Sequence, residues 1–449
     1  MPVSPARAAA FDILLRVERE SSYASDLLHS AAHANLSTQD HALATELVMD
    51  VLRWRSRLDA EIATASSQPL TKLDDEILVA LRLALYQFLW LDRVPPRAAL
   101  HESVELVKRA RKRSAAPFVN AVLRKLSTAP RIQPENEPAN SPESLARSLA
   151  HPQWMVERWV REYGLAAAHR ICQHNQSIPS TAIRLRARDA EEQLKQEGIF
   201  LTAGSLLKSA RIVKSGDITK TWAFRIGGIT IQDEASQLVA ALISADPLNE
   251  GSTILDCCAA PGGKTLAIAD QNPSAAITAV ELHPHRARLL QKLLQPHAPQ
   301  IQILTADAQH LPITRKFDRV LADVPCSGTG TLARNPEIKW RLTVDDLARL
   351  AQRQLAILRS ALAQVAPGGR LIYSTCSLEK EENENVIEQV LSENNSFRLQ
   401  DCNEELDRLK IAGTLTWPDP RSLTRGPYLR TIPGIHPCDG FFAAILEKA

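Results

Sequence analysis

The feature that most constrains the fold is an alternation of short apolar segments with amphipathic ones in the C-terminal half. From about Gln237 onward, runs of Ile, Leu, Val and Ala alternate with segments whose apolar residues recur at spacings of three and four. Short strands that alternate with helices predict a parallel, doubly wound α/β sheet, because a crossover between parallel strands usually contains a helix. The predicted strands are residues 253–257, 276–281, 301–305, 319–322 and 369–374, and the predicted helices include 284–294 and 344–365.

Residues 5 to about 127 have a different pattern, which is typical of helices. Apolar residues recur at helical spacing, as at Ile77, Leu81 and Leu85, and the stretch contains no glycine. This predicts an all-helical bundle. Its most apolar segment, 77–91, has about 15 residues, whereas a membrane span needs about 20, so we expect a buried helix.

Between these two regions the sequence predicts a linker and a small module. Residues 129–143 contain four prolines separated by polar residues, which is typical of an extended linker. Farther on, helices are predicted at 154–163 and 190–197 and strands at 181–187 and 222–226, which together indicate an α+β module. The predicted domains are a helical domain at 1–128, a linker at 129–143, an α+β module at 144–235 and an α/β domain at 236–449.

The total charge does not indicate a polyanionic partner, but one local cluster does. The 449 residues include 53 Lys and Arg against 51 Asp and Glu, a formal net charge of +2. Residues 106–126 contain basic side chains and no acidic one, a density that could neutralise the phosphates of RNA. A solvated helix face is the alternative. We define the basic cluster as Lys108, Arg109, Arg111, Lys112 and Arg113.

Cysteine usage bears on the compartment and on metals. There are seven cysteines, an odd number in a long chain, so a disulfide framework is not expected. No Cys-x-x-Cys pair occurs, so no metal site is predicted. Without a recognisable signal peptide or membrane span, we expect a cytoplasmic protein with free thiols. The sequence does not indicate an oligomeric state.

A glycine-containing loop follows the first predicted strand of the α/β domain and opens a helix. Ligands of doubly wound sheets bind beyond the carboxyl ends of the strands. Two adjacent glycines allow a tight turn and a close backbone approach, and the amides at a helix start favour an anionic group. The loop, here called the cofactor loop, consists of Cys258, Ala259, Ala260, Pro261, Gly262, Gly263 and Lys264.

Two acidic residues extend this pattern. Glu281 ends the second predicted strand, where a carboxylate can bind ribose hydroxyls, and Asp307 follows the third, where it could contact an adenine ring. Each feature alone has a structural alternative, namely a tight turn or a solvated strand end. Their occurrence in this order predicts a nucleoside-containing cofactor.

Two cysteines follow the fourth and fifth predicted strands. Cys326 comes three residues after Asp323, and Cys376 follows the strand at 369–374. A lone cysteine is usually a small core residue, but two at the ligand-binding edge of one sheet are harder to explain by packing. Both are candidate nucleophiles, and their spacing does not indicate which one attacks.

Such a pair suits methylation of carbon 5 of cytosine, which is a poor nucleophile. Addition of a thiolate to carbon 6 makes carbon 5 reactive, and a nearby acid such as Asp323 can protonate ring nitrogen 3. A base must then remove the proton from carbon 5 before the thiolate leaves. Thiolate formation requires an electropositive niche, to which Lys264 could contribute.

These motifs resemble those of RNA 5-methylcytosine methyltransferases. The resemblance rests on the cofactor loop, on residues 323–326 and 375–377, and on residues 232–236 just upstream. Residues 118–124 resemble the helical RNA-binding domain of the NusB antitermination factor. The combination resembles the RsmB (Sun/Fmu) family of bacterial 16S ribosomal RNA methyltransferases, over almost the whole chain.

The resemblance implies a Rossmann-like methyltransferase domain, S-adenosylmethionine as cofactor and 16S rRNA as partner. It implies that Cys376 is the nucleophile and that Cys326 assists product release. Cofactor contacts are implied for the cofactor loop, Glu281, Asp307 and Asp323. The family often has Asp where this chain has Glu281, which preserves a carboxylate for the ribose.

Two other functions compete with this interpretation. An NAD-linked oxidoreductase could use a similar sheet, but the Gly-x-Gly-x-x-Gly pattern of dinucleotide sites is missing from the loop. A non-catalytic RNA-binding or antitermination protein would fit the N-terminal region, but it would not require the two cysteines.

Overall fold

A computed structural model describes residues 3–20, 22–128, 140–295 and 297–449. The chain forms two compact units, one of Met1–Ile178 with Leu332–Arg341 and one of Pro179–Thr331 with Leu342–Ala449. Most of the predicted linker, 129–139, lies outside the described residues. A helix begins at Pro142, where proline suits the first helical position and Ser141 caps the helix.

The first unit is helical, as its sequence predicts. Residues at helical spacing on the most apolar helix, including Leu81 and Leu85, are buried in a shared core with Phe11, Leu47 and Val119. The helices are α1 (Pro5–Glu20), α2 (Ala24–Leu28), α3 (Thr38–Arg53), α4 (Arg55–Ala65), α5 (Asp75–Trp90), α6 (Pro96–Arg109), α7 (Ala116–Ser127), α8 (Pro142–Ser148), α9 (Gln153–Tyr163) and α10 (Leu165–Gln176). None of the described helices of the chain is long and apolar enough to cross a membrane.

The second unit begins with a small antiparallel sheet of order β2-β3-β1-β4. A strand prediction at 222–226 was wrong, because the segment forms a short helix whose first turn is capped when the Thr221 hydroxyl accepts a hydrogen bond from Phe224 N–H. The elements are β1 (Thr181–Leu185), α11 (Ala190–Gln196), β2 (Phe200–Ala203), β3 (Ala210–Ser215), α12 (Trp222–Arg225) and β4 (Ile229–Ile231).

The rest of the second unit is a Rossmann-like α/β fold with a mixed sheet of order β11-β12-β13-β9-β8-β5-β6-β7, and β10 pairs with β13. The strands from β5 to β9 are parallel, as predicted, whereas the unpredicted C-terminal strands pair antiparallel. The elements are α13 (Glu234–Leu242), β5 (Thr253–Asp256), α14 (Gly263–Gln271), β6 (Ala276–Glu281), α15 (Pro284–Leu294), β7 (Gln302–Thr305), β8 (Phe317–Asp323), α17 (Val344–Leu362), β9 (Val365–Thr375), α18 (Glu384–Glu393), β10 (Phe397–Gln400), α19 (Cys402–Ile411), β11 (Thr424–Arg425), β12 (Tyr428–Arg430) and β13 (Phe442–Lys448). Helix α16 (Ile338–Arg341), which lies between β8 and α17 in the chain, belongs to the first unit.

Successive residues of the central strands enter two different cores. Ile254 and Leu321 belong to one buried cluster, and their neighbours Leu255 and Val320 belong to another. Side chains of a strand alternate between the two faces of a sheet, so both faces of this sheet are covered. The carboxyl ends of its parallel strands therefore remain as the place for a site.

One segment that follows β8 in the chain belongs to the first unit. In Leu332–Arg341 the buried Lys339 ammonium donates to the carbonyl oxygens of Arg53, at 2.8 Å, and of Ala150, at 2.9 Å. Burial lowers the pKa of Lys339 well below its usual range. The chain thus leaves the second unit shortly after Cys326 and returns to it at Leu342.

Candidate functional site

The cofactor loop is held by a buried carboxyl at the end of β5. Asp256 is 1% exposed and accepts a hydrogen bond of 2.7 Å from the Thr265 hydroxyl, which lies in the first turn of α14. Burial raises the pKa of Asp256 to about 6, against the opposing effect of that hydrogen bond. Asp256 therefore connects the strand before the loop to the helix after it.

The two glycines of the loop have different roles. Gly262 has φ of 112°, in the left-handed region, and a β-carbon there would lie 2.7 Å from Leu290 and 2.9 Å from Leu293. Gly263 is not in that region, and a β-carbon there would lie 3.6 Å from Gln232, which is ordinary contact. The tight turn thus requires glycine at Gly262, whereas the backbone conformation at Gly263 is open to other residues.

The two predicted cofactor carboxylates lie after neighbouring parallel strands. Glu281 ends β6 with 5% exposure and accepts a hydrogen bond of 2.9 Å from His283 N–H. Asp307 follows β7 and accepts one of 2.9 Å from Gln309 N–H. Strands β5, β6 and β7 pair in that order, so the cofactor loop, Glu281 and Asp307 follow the carboxyl ends of three successive strands.

Asp323, at the end of β8, forms an ion pair at the same edge. Its carboxylate lies 2.8 Å from the Lys264 ammonium and accepts a hydrogen bond of 2.7 Å from the Ser374 hydroxyl on β9. Burial lowers the pKa of Lys264, but the charge and hydrogen bond of Asp323, together with the charges of Cys376 and Asp256, outweigh burial and raise that pKa. The Lys264 ammonium also lies 4.9 Å from the centre of the Phe441 ring.

The two cysteines lie side by side. Asp323 is opposite Ser374 in the parallel β8–β9 register, and the segments that continue from these strands bring Cys326 Sγ within 3.3 Å of Cys376 Sγ. Both side chains are partly exposed. The hydrogen bond to Cys376 and burial raise the pKa of Cys326 well above its usual range. The structure thus brings together Cys326, Cys376, Asp323 and Lys264.

Sequence reasoning missed a buried carboxylate beside both cysteines. Glu382 is fully buried and accepts hydrogen bonds from Ser327, Ser377 and Gln354. A signal was available, since Glu382 lies in an acidic run shortly after Cys376, but such a run usually indicates a solvated surface.

The basic cluster lies in the first unit, at the C-terminal end of α6 and in the connection to α7. Three of its members form ion pairs within that unit: Lys108 with Glu105 at 2.7 Å, Arg109 with Asp12 at 2.7 Å and Lys112 with Asp74 at 2.8 Å. Within the described part of the chain, Arg111 and Arg113 form no ion pair; Arg111 has φ of 64° in the turn. The structure therefore places these residues near one turn of the chain, but three of them are paired with carboxylates.

Comparison with known protein families gives three consecutive matches. The model described as NusB family matches residues 4–128, and the ferredoxin-like domain of RsmF/B-like methyltransferases matches residues 151–218. The model described as 16S rRNA methyltransferase RsmB/F matches residues 243–447. Together they cover most of the chain in the order of the helical unit, the small sheet and the Rossmann-like fold.

Relatives match over the full length. A probable ribosomal RNA small subunit methyltransferase B of Bacillus subtilis is 34% identical, with 100% of each chain covered. The ribosomal RNA small subunit methyltransferase B of Vibrio cholerae is 30% identical over 98% of this chain and 97% of its own. The crystal structure of the protein PH0851 covers 100% of both chains with a TM-score of 0.82 and 25% identity.

The cofactor of this methyltransferase fold is S-adenosylmethionine, and the observed edge fits it. The first turn of α14 has no side-chain cap at Gly262, so its amides can receive the carboxylate of the methionine part. The nearly buried carboxylate of Glu281 suits ribose hydroxyls. The chain therefore belongs to the RsmB/F family of 16S rRNA methyltransferases, with a NusB domain at its N-terminus and S-adenosylmethionine as its cofactor.

Proposed function

We propose that the protein methylates carbon 5 of a cytosine in 16S rRNA through a covalent bond between Cys376 and that cytosine. The observation that carries this proposal is the 3.3 Å separation of the two sulfurs beside the Lys264–Asp323 ion pair. A methyltransferase that acts on an already nucleophilic atom has no need of paired thiols at its cofactor edge. Carbon 5 of cytosine does need a thiol nucleophile.

In the first step the Cys376 thiolate adds to carbon 6. Lys264 is the positive charge that we assign to this step, since its ammonium interacts electrostatically with Cys376. The electron pair displaced from the carbon 5–carbon 6 double bond makes carbon 5 nucleophilic. We assign Asp323 to ring nitrogen 3, where its carboxylate holds the proton that nitrogen 3 gains, and the Lys264 ammonium beside it is the source of that proton. When bound, S-adenosylmethionine supplies the electrophilic methyl group.

Product release is the second task of the site. After methylation, carbon 5 carries both a proton and the methyl group. Loss of that proton to a base restores the double bond and breaks the bond between Cys376 and carbon 6. We assign assistance in this step to Cys326. Its hydrogen bond to Cys376 is the largest cause of its raised pKa, and that cause is lost once Cys376 is bonded to carbon 6.

Assignment of rRNA as the substrate rests on the relatives. The proteins of Bacillus subtilis and Vibrio cholerae are named ribosomal RNA small subunit methyltransferases. We assign the helical domain 1–128 and the α+β module 144–235 to RNA binding, with the basic cluster as a phosphate contact. The domain at 236–449 carries the chemistry, and 129–143 links the helical domain to the module. A cytoplasmic location follows from an rRNA substrate in bacteria.

A direct test uses 16S rRNA from a strain that lacks this gene. Purified protein and labelled S-adenosylmethionine should transfer label to that rRNA, and bisulfite sequencing should find one protected cytosine that the deletion strain lacks. Label at another base, or no label in either naked rRNA or small ribosomal subunits, would contradict the proposal.

A further inference from the structure

The two cysteine segments share one buried carboxylate. Glu382 accepts a hydrogen bond of 2.8 Å from Ser327 N–H and one of 2.5 Å from the Ser327 hydroxyl, directly after Cys326. It also accepts one of 2.5 Å from the hydroxyl of Ser377, directly after Cys376. The two serine hydroxyl oxygens lie 3.0 Å apart. The Glu382 side chain therefore links both cysteine segments through hydrogen bonds.

A third contact extends this arrangement to the residue before Cys326. The Gln354 amide, on α17, donates to Glu382 at 2.8 Å and to the Pro325 carbonyl oxygen at 3.0 Å. Backbone bonds join the segments as well, since Val324 N–H donates to Ser374 O and Gly330 N–H donates to Cys376 O. The separation of the two sulfurs is thus set by a continuous network centred on Glu382.

The carboxyl group of Glu382 is surrounded by donors. Its oxygens accept from four groups, namely the Ser327 N–H, the hydroxyls of Ser327 and Ser377, and the Gln354 amide. The side chain is fully buried and forms no ion pair with any residue that the structure describes, since Arg430 pairs with Glu384 and Lys264 pairs with Asp323. Tyr373 donates to the backbone oxygen of Glu382, not to its carboxylate.

This buried negative charge does not act equally on the two thiols. After the hydrogen bond to Cys376, burial and the charge of Cys376, the charge of Glu382 is a further cause that raises the pKa of Cys326. Cys376 instead interacts with the ammonium of Lys264. The charge of Glu382 thus disfavours a thiolate at Cys326, whereas the charge that acts on Cys376 is the positive one of Lys264.

We propose that Glu382 is a positioning residue that fixes the separation of the two cysteines and keeps the thiolate on Cys376 rather than on Cys326. This inference rests on the proposed function, because it explains how one of two adjacent thiols becomes the nucleophile. Ser327, Ser377 and Gln354 transmit the effect, and Glu382 itself touches no reacting atom.

The test measures thiol alkylation in the full-length protein without RNA. Both cysteines are partly exposed, so iodoacetamide can reach them, and peptide mass spectrometry separates them from the other cysteines. In the unaltered protein Cys376 should react faster than Cys326. In Glu382→Gln the ratio of the two rates should fall roughly tenfold, because the charge that disfavours a thiolate on Cys326 is removed.

Two further variants separate charge from position. Glu382→Asp keeps the charge but shortens the side chain, so the alkylation ratio should stay close to that of the unaltered protein while kcat falls and KM for RNA does not change. Ser377→Ala removes one hydroxyl donor and should lower kcat in the same way, which keeps the test open if Glu382→Gln does not fold. The matched control is Glu393→Gln, an exposed glutamate paired with Arg359, which should change neither quantity.

An unchanged alkylation ratio in a folded Glu382→Gln variant would overturn the electrostatic role. Unchanged kcat in both Glu382→Asp and Ser377→Ala would overturn the positioning role. Failure of the proposed function would look different, since turnover would then survive Cys376→Ala while the alkylation ratio still responded to Glu382.

Discussion

Lysine and arginine side chains have opposite surroundings at the cofactor edge and in the basic cluster. Lys264 pairs with Asp323 where their side chains are 14% and 25% exposed. Arg109 pairs with Asp12 where both are nearly half exposed, and Lys108 and Lys112 are similarly placed. From the sequence alone, both regions are predicted to place positive charge where an anionic group could bind.

The difference teaches that burial decides what a charge can do. Salt screens a partly buried ion pair only weakly, and its two side chains do not easily take other partners. Lys264 is therefore suited to keeping a positive charge in place for the reaction. An exposed pair contributes little to stability and is screened by salt, so its lysine or arginine can leave the carboxylate for a phosphate.

The largest effect is expected at the cofactor edge. Cys376→Ala should abolish methyl transfer, by roughly 10⁴-fold or more, because loss of a covalent nucleophile is not compensated by the remaining groups. Cofactor affinity, measured by calorimetry, should stay close to that of the unaltered protein, since Cys376 is outside the cofactor loop. Turnover near the normal rate would remove Cys376 from the chemistry.

The next effect concerns the loop itself. Gly262→Val should weaken S-adenosylmethionine binding by roughly tenfold or more, because a β-branched residue is strained at φ of 112° and would press on Leu290 and Leu293. The matched control is Gly263→Ala, which has room for a β-carbon and should bind nearly normally. Equal affinities in the two folded variants would show that the turn does not shape the site.

Stability should also distinguish the two regions. Asp323→Asn leaves the Lys264 ammonium without its carboxylate and should lower the free energy of unfolding by about 3 kcal/mol. Asp12→Asn breaks an exposed pair with Arg109 and should cost less than about 1 kcal/mol. Urea unfolding measures the free energy of unfolding of both variants. Similar losses in the two would contradict the difference between the two regions.

The smallest effect per residue is expected on RNA affinity, when members of the basic cluster are replaced. Neutralising all five should weaken RNA binding and reduce the slope of log affinity against log salt by roughly 0.7–0.9 for each lost phosphate contact. Replacing Arg111 and Arg113 should matter more per residue than replacing Lys108, Arg109 and Lys112, which must first leave their carboxylates. An unchanged slope would instead indicate a solvated helix face.

The elements that the sequence predicts best are those with a strict period. The helical unit and the five parallel strands could be predicted, because their apolar residues recur with the spacing of a helix or form short buried runs. The helix at Trp222–Arg225 could not, because its aromatic and apolar residues favour a strand and its first turn depends on the cap from Thr221. The C-terminal strands β10 to β13 pair antiparallel, and β11 and β12 have only two and three residues, which is too short for a recognisable pattern.

The candidate site divides in the same way. Motif residues such as Cys326, Cys376 and Asp323 could be placed at one edge, because strand ends of a parallel sheet converge. Glu382 could not be assigned to the site from the sequence, because its role depends on hydrogen bonds from α17 and from both cysteine segments. Similarly, only the backbone angles distinguish Gly262 from Gly263.

The measurement that tests the central claim most directly is a denaturing gel with RNA substrate and labelled cofactor. If Cys376 attacks carbon 6 and Cys326 assists release, Cys326→Ala should accumulate a methylated protein–RNA adduct that survives denaturation. Cys376→Ala and the double variant should form none. A shifted band in Cys376→Ala, with none in Cys326→Ala, would reverse the two roles and contradict the account.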